Sequence, residues 1–431
     1  MGFQHGIGGI NAASKQLDVI GNNVANSGTI GFKGSRAEFA DMYAANFYGV
    51  AATQTGLGVR TETIAQQFSQ GGITTTGNQM DMAISGNGFF VIKDTNGVSY
   101  SRNGQFKIDR EGFIVNNGGS NLQGWAVDEN TGRVLEGTQT SMRVDNSLLE
   151  PRPTDFPAGA GEIKWAFNLD SRQTSLDPAN FDPANPATYN HTTSTNIHTT
   201  STNIYDSLGN PYKLNLYFVK DTAGGGAWQV FARGIDETVS PNAVVDLGQQ
   251  ALTFDTEGKL PTGPNLLNFT AFDPGTLGVP VNAAPININI DFANTTQFGA
   301  QFSNNDIIQP GYPPSVVTNL EVSKDGIVSA RYSNGQNKTI GQVILANFPN
   351  QQGLQSIGNN RWIQTYQSGT PTLNNPGSTN TGLIQSQALE EANVDLTAEL
   401  VNMITAQRFY QANAQTIKVQ DAVLQSVINL R

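Results

Sequence analysis

The most regular pattern in the chain lies at its C-terminal end. Positions 396, 400, 403, 407, 410, 414, 417, 421, 424 and 428 follow alternating four- and three-residue steps. Eight of these ten are apolar or aromatic: Leu396, Leu400, Met403, Tyr410, Ala414, Ile417, Leu424 and Ile428. No Gly or Pro interrupts residues 393–431. The spacing predicts a helix capped by Asn393 or Asp395, about 57 Å long at 1.5 Å per residue, with a seam of coiled-coil type. Val401, Ile404, Val423 and Val427 form a second stripe beside the seam. The helix therefore needs cover on more than one side.

The N-terminal end repeats this design more weakly. Phe3, Ile7, Ile10, Ala13, Leu17, Ile20 and Val24 fall on one helical face. Gly2, Gly6, Gly8 and Gly9 oppose helix formation by about 1 kcal/mol each relative to Ala. Alone in water this segment is expected to fray, and the seam at the other end of the chain is its natural partner.

Between the ends the period changes to two. Ile163, Trp165, Phe167 and Leu169 alternate with other residues, as do Leu214, Leu216 and Phe218, then Trp228 and Val230, then Ile286, Ile288, Ile290 and Phe292. These read as half-buried strands. Asn96-Gly97, Asn103-Gly104, Asp325-Gly326 and Asn334-Gly335 read as hairpin turns. Pro and Ala cluster at 151–160 and 178–187, and Pro-Gly-Tyr-Pro-Pro spans 310–314. These stretches read as the boundary loops of an inserted domain.

The expected fold is α+β and multidomain. Residues 1–30 and 389–431 would form a paired, coiled-coil-like helical domain, and 31–71 and 367–388 linkers or hinges. Residues 72–145 and 312–366 would form an inner β domain, and 146–311 an inserted outer one, both sandwich- or barrel-like. Two short duplications, TTSTNIH/TTSTNIY at 192–205 and DPAN at 177–180 and 182–185, do not reach a third copy and imply no solenoid.

Composition narrows the chemistry. Charged residues make up only 14% of the chain, so its polarity rests on amides and hydroxyls that bond locally in turns and strands. Without Cys, disulfides, thiolate metal sites and cysteine nucleophiles are excluded. His5, His191 and His198 are too few for a histidine metal cage. A net charge of −11 argues against nucleic acid as a partner. No apolar run approaches the roughly 18 residues of a membrane span, and no secretory signal is visible. Lys15 and Asp18 cancel in residues 1–30, and three acids cancel three bases in 393–431, so the whole deficit falls in residues 31–392. Copies of a neutral end can crowd together while an acidic middle stays apart. No phosphate loop, calcium loop or carboxylate pair has the context that catalysis requires, so neither an enzyme nor a cofactor is expected.

Particular stretches then point to a family. Ile10-Asn11-Ala12-Ala13-Ser14-Lys15-Gln16-Leu17-Asp18-Val19-Ile20-Gly21-Asn22-Asn23-Val24-Ala25-Asn26, followed by Thr29-Ile30-Gly31-Phe32-Lys33, resembles the N-terminal signature of the bacterial flagellar rod and hook proteins. Leu389-Glu390-Glu391-Ala392-Asn393-Val394-Asp395-Leu396, with Ala406-Gln407-Arg408 and Tyr410-Gln411-Ala412-Asn413-Ala414, resembles their C-terminal signature. Residues 86–94 and 100–109 fit the shared β domain, and Gly341–Asn347 with Arg361-Trp362 resembles the hook branch.

The resemblance implies a subunit of a curved, hollow helical homopolymer that transmits torque as a universal joint. Its implied neighbours are further copies of itself, the rod, the hook cap, the hook–filament junction proteins and the type III export apparatus. It implies an extracellular place in the flagellum, reached without a cleaved signal and without membrane insertion. The interface seams would be Ile10, Leu17, Ile20 and Val24 on the first helix, and Leu396, Leu400, Met403, Tyr410, Ile417, Leu424 and Ile428 on the second. The rival readings are a distal rod subunit and, from another class, a secreted β-rich glycan-binding protein.

Overall fold

The computed structural model describes residues 2–42, 56, 58–128, 131–145, 148–157, 161–181, 197–237, 243–261, 265–277 and 282–429. Only the backbone is described for Gly2, Asn180, Leu277 and 427–429. The chain divides into two compact units, the first comprising 1–146, 318–331 and 336–431, the second 147–317 and 332–335. The described residues are mostly β, with α-helices only near the two ends: α1 (Gly2–Ala25) and α2 (Leu396–Asn429).

In the first unit α1 runs antiparallel to α2, with Gly6 beside Ile417, Gly9 beside Asn413, and Asn23 Nδ2 donating to Glu399 Oε1 at 3.1 Å. Of the two candidate caps, Asp395 does the capping. Its Oδ1 accepts from Thr397 N at 2.8 Å and Ala398 N at 3.2 Å, satisfying amides that the first turn leaves free. Asn393 instead fastens the chain before the helix. Its Oδ1 accepts from Gly34 N at 2.8 Å, and its Nδ2 donates to Gln67 O at 2.6 Å.

Within the stretch 31–71, Ser35–Met42 and Gly58–Gln66 form an antiparallel hairpin with a bulge between Glu38 and Phe39. Residues 43–55 and 57 of that stretch lie outside the described residues. The hairpin lies against α1, where His5 Nε2 reaches Gly56 O at 2.6 Å.

The β part of this unit is built on strands Phe89–Asp94, Gly97–Ser101 and Asn121–Val127 from the N-terminal half. Leu345–Asn347 and Arg361–Ile363 join them from the C-terminal half. Phe89, Val91, Tyr100, Trp125, Ile344, Phe348 and Trp362 form its core. The rings meet edge to face, Phe89 against Trp362 at 5.7 Å and Tyr100 against Phe348 at 4.8 Å between centroids. Phe90 and Ile92 point to the other face and are equally buried, so this strand is covered on both sides.

Three of the four expected hairpin turns form, and Gly97, Gly326 and Gly335 take φ of 126°, 75° and 82°, as such turns require. Asn103-Gly104 makes none. A side chain at Gly104 would collide with the Met82 backbone, so the glycine there serves close approach of two backbone segments.

The second unit carries two four-stranded sheets. Ile197–Tyr205, Pro211–Lys220, Ala227–Asp236 and Ala243–Thr253 form an antiparallel meander. Leu266–Asn268, Asn289–Asp291, Ile163–Asn168 and Ser303–Ile308 form the other sheet in that order. Trp165, Phe167, Leu214, Leu216, Phe218, Trp228, Val230, Ile288, Ile290 and Phe292, all taken from the period-two runs, fill one shared core. The segments by which the chain enters and leaves the unit are tied together by Leu149 N donating to Ser315 O at 2.8 Å.

The second duplicate, Thr199–Tyr205, lies in the edge strand of the meander, while residues 192–196 of the first copy lie outside the described residues. Asp177 caps the short turn Pro178–Asn180 through Ala179 N, and the second DPAN, at 182–185, is also outside.

Candidate functional site

Along α2 the residues turned toward α1 are not the whole four–three row. Ala406 is fully buried, and Met403, Asn413 and Ile417 are half-buried on the same side. On α1 the facing side begins with small residues. A side chain at Gly6 would meet Ile417 Cγ1 at 2.7 Å, and one at Gly9 would meet the Asn413 side chain. Gly8 turns instead to the hairpin, where a side chain would reach Val59 O at 3.0 Å. These glycines trade helix propensity for close approach of backbones. Further along, Ala13 and Ile20 are buried.

The eleven seam positions therefore separate by environment. Ile20 is buried, and Ile10, Leu17, Val24, Met403 and Ile417 are half-buried. Leu396, Leu400, Tyr410 and Leu424 are 41–55% exposed. The side chain of Ile428 lies outside those described. Beside them Val401, Ile404, Phe409, Val419 and Val423 are also exposed, as are Phe3 and Ile7 of α1. Leu396, Leu400 and Ile404, spaced by four, form an apolar row that is 45–51% exposed. Contiguous exposed apolar residues of this kind are unusual on a protein surface.

The base of the helix pair holds a buried ion cluster that the periodicity did not reveal. Glu390 Oε1 accepts from Lys33 Nζ at 2.7 Å and Gly71 N at 3.0 Å, and its Oε2 accepts from Arg102 Nη1 at 3.0 Å. Lys33 Nζ also donates to Ser69 O at 2.7 Å, and Arg102 Nη2 to Gly86 O at 2.9 Å. All three side chains are 0–3% exposed. Burial pushes the Lys33 ammonium below its ordinary range, and the Glu390 carboxylate works against that shift. The Arg102 guanidinium is pushed down by the same cause. The three residues come from the N-terminal signature, the β-domain stretch and the C-terminal signature, so the motifs that carry the resemblance meet at one point.

Among the described residues nothing comparable supports catalysis. A groove of about 530 Å³ between the hairpin and the β part is lined by amides, hydroxyls, Ile64, Leu354 and Phe68, with Glu38 its one acid. No group of three or more potential metal ligands occurs among the described residues, and no described helix is long and apolar enough to cross a membrane.

Comparison with known proteins agrees with this geometry. Residues 3–33 match the family "Flagella basal body rod protein" and 83–149 the "Flagellar hook protein FlgE/F/G D1 domain". Residues 168–312 match the "Flagellar basal body protein FlaE D2 domain" and 385–430 the "Flagellar basal body rod FlgEFG protein C-terminal". The chain is 38% identical to the flagellar hook protein FlgE of Escherichia coli, with all of both chains covered. It is 31% identical to that of Borreliella burgdorferi, covering 99% of this chain and 98% of the relative. The crystal structure of Helicobacter pylori flagellar hook protein FlgE2 shares the fold, with a TM-score of 0.52 at 14% identity over 74% of this chain and all of the other. Similarity to hook proteins that runs from end to end places the chain in the flagellar hook protein family, whose members are structural subunits rather than enzymes.

Proposed function

We propose that this hook subunit assembles by burying the bare face of α2 against other copies, and that the resulting tube works as a universal joint. The observation that carries this reading is the row Leu396, Leu400 and Ile404, left 45–51% exposed on a capped, regular helix. In this reading the terminal helices pair in a coiled-coil manner and line the inside of the tube. Residues 31–71 and 367–388 link them to an inner β domain of 72–145 and 312–366, and 146–311 form the outer domain. Helices held by apolar contacts resist separation, while outer surfaces of amides and hydroxyls exchange their contacts readily with water. The tube is then stiff in twist and soft in bending. The interface would draw on all eleven seam residues, from Ile10 to Ile428. Rod, hook cap, junction proteins and the type III export apparatus are the neighbours proposed for it, at an extracellular site reached without a cleaved signal.

The test is polymerisation of the purified chain followed by electron microscopy. Curved hollow tubes are expected. Straight rigid tubes would return the distal-rod reading, and material that stays monomeric under all conditions would contradict self-assembly.

A further inference from the structure

The buried cluster at Glu390 joins three distant parts of the chain. Lys33 lies eight residues after the end of α1, and Glu390 six residues before the start of α2. Arg102 belongs to the β part and also stacks its guanidinium over Phe89, 5.3 Å from the ring centroid. Around Glu390 the C-terminal segment is held by two short pairings, Leu383–Ser386 with Met82–Ser85 and Ala388–Glu390 with Ile73–Thr75, and by Glu391 N donating to Gly72 O at 2.8 Å. Gln387, at φ 55°, kinks the chain between them. The backbone joins in, with Gly31 N donating to Glu390 O at 2.8 Å.

We propose that Glu390 is a clasp, which makes the ordering of both terminal helices conditional on the docking of segment 383–391 against the β part. With the carboxylate replaced by a neutral amide, Lys33 and Arg102 are two buried cations with no counter-charge. Lys33 keeps only Ser69 O as a partner, and Arg102 only Gly86 O, its Nε having none among the described residues. An unpaired buried charge is far costlier than an exposed one, so the socket opens to water. Lys33 leaves first, because a flexible ammonium rehydrates more readily than a stacked guanidinium. Its departure loosens the loop before Ser35, which keeps Gly31 N on Glu390 O and Gly34 N on Asn393 Oδ1, and weakens the base of α1. Segment 383–391 then keeps its backbone bonds but no side-chain anchor in the socket, and the base of α2 loosens as well. The two helices thus order and disorder as one cooperative unit. This does not depend on how copies pack in a tube, so it can fail while the assembly reading stands, and the reverse.

The experiment is amide hydrogen exchange on the full chain, as wild type, Glu390→Gln and Lys33→Met/Glu390→Gln. In Glu390→Gln the amides of α1 and α2 should exchange faster together, by a factor between about a hundred and several thousand, the size expected when one partner of a buried ion pair is lost. The strands of the second unit should be unchanged. The double variant, which also removes one stranded cation, should exchange more slowly than Glu390→Gln alone. A purely packing role predicts the opposite, with the two losses adding. Retained protection of both helices in Glu390→Gln, loosening of one helix only, or a double variant worse than the single would each overturn the clasp. If Glu390→Gln alone loses protection throughout the first unit, the double variant still decides: recovery supports the clasp, and no recovery refutes it.

Discussion

A chain carrying Leu400→Asp is expected to stay folded and to form no tubes. Leu400 is 45% exposed and sits in the middle of the bare row on α2. As a monomer the variant loses almost no packing, so its helical signal and melting curve should match wild type. Assembly is different, because covering the 45% of Leu400 that is still exposed contributes about 1 kcal/mol per interface. A carboxylate at the same place adds a desolvation cost of several kcal/mol. Every subunit of a helical polymer repeats the defect, so growth should stop rather than slow. Leu400→Met, which keeps size and polarity, should assemble normally.

Ile417→Asp should also block assembly, with a further effect that Leu400→Asp lacks. Ile417 lies against Gly6 of α1, so the charge weakens the helix pair before any second copy arrives. Sedimentation together with circular dichroism separates the two cases. If Leu400→Asp polymerised like wild type, the bare row would not be the interface.

Substitutions at two glycines of the same helix are expected to act in opposite directions. Gly6 is buried, and a β-carbon there falls 2.7 Å from Ile417 Cγ1, inside the contact distance of two carbons. Ile417 is β-branched and cannot turn away freely. Gly6→Val should therefore destabilise the helix pair by about 1–3 kcal/mol through overpacking. Gly21 has nothing within 4 Å of the same point and lies inside α1. Gly21→Ala should stabilise the pair by up to about 1 kcal/mol, because the unfolded chain loses freedom and the helix gains propensity. Melting of the far-UV helical signal reads both, since α1 and α2 hold the α-helix of the described residues. Equal effects of the two substitutions would mean that the helices do not meet at Gly6.

The contrast shows what periodicity can and cannot reveal. The strands of the second unit were legible because each sets alternate residues into one large core, while Tyr217, Val219 and Phe231 on the other face of the meander join a smaller cluster with Phe181 and Ile197. Trp165, Phe167, Leu214 and Phe218 therefore alternate without interruption. On α2 two demands share one helix. Contact with α1 uses Ala406, Asn413 and Ile417, while Leu396, Leu400 and Ile404 remain bare. A hydrophobic pattern marks residues that need cover and does not say which neighbour supplies it.

The α1 side of the contact begins with Gly6 and Gly9, which such a pattern counts as helix breakers. Their value appears only once the distance to α2 is known. Asn103-Gly104 misled for the same reason, since its glycine serves close approach and not a turn. The ion cluster was invisible because Lys33, Arg102 and Glu390 are separated by up to 357 residues and are unremarkable in isolation. A usable signal was nevertheless present. Each lies in a stretch that carried the family resemblance, and charged residues are scarce in this chain.

The most direct test of the account is a cryo-electron microscopic map of tubes grown from the purified chain, at a resolution that shows side chains. The account predicts α1 and α2 on the lumen side, antiparallel, with Gly6 against Ile417. Leu396, Leu400 and Ile404 should be buried against a second copy. A tube in which that row still faces solvent, or in which the helices lie outside the β domains, would contradict it.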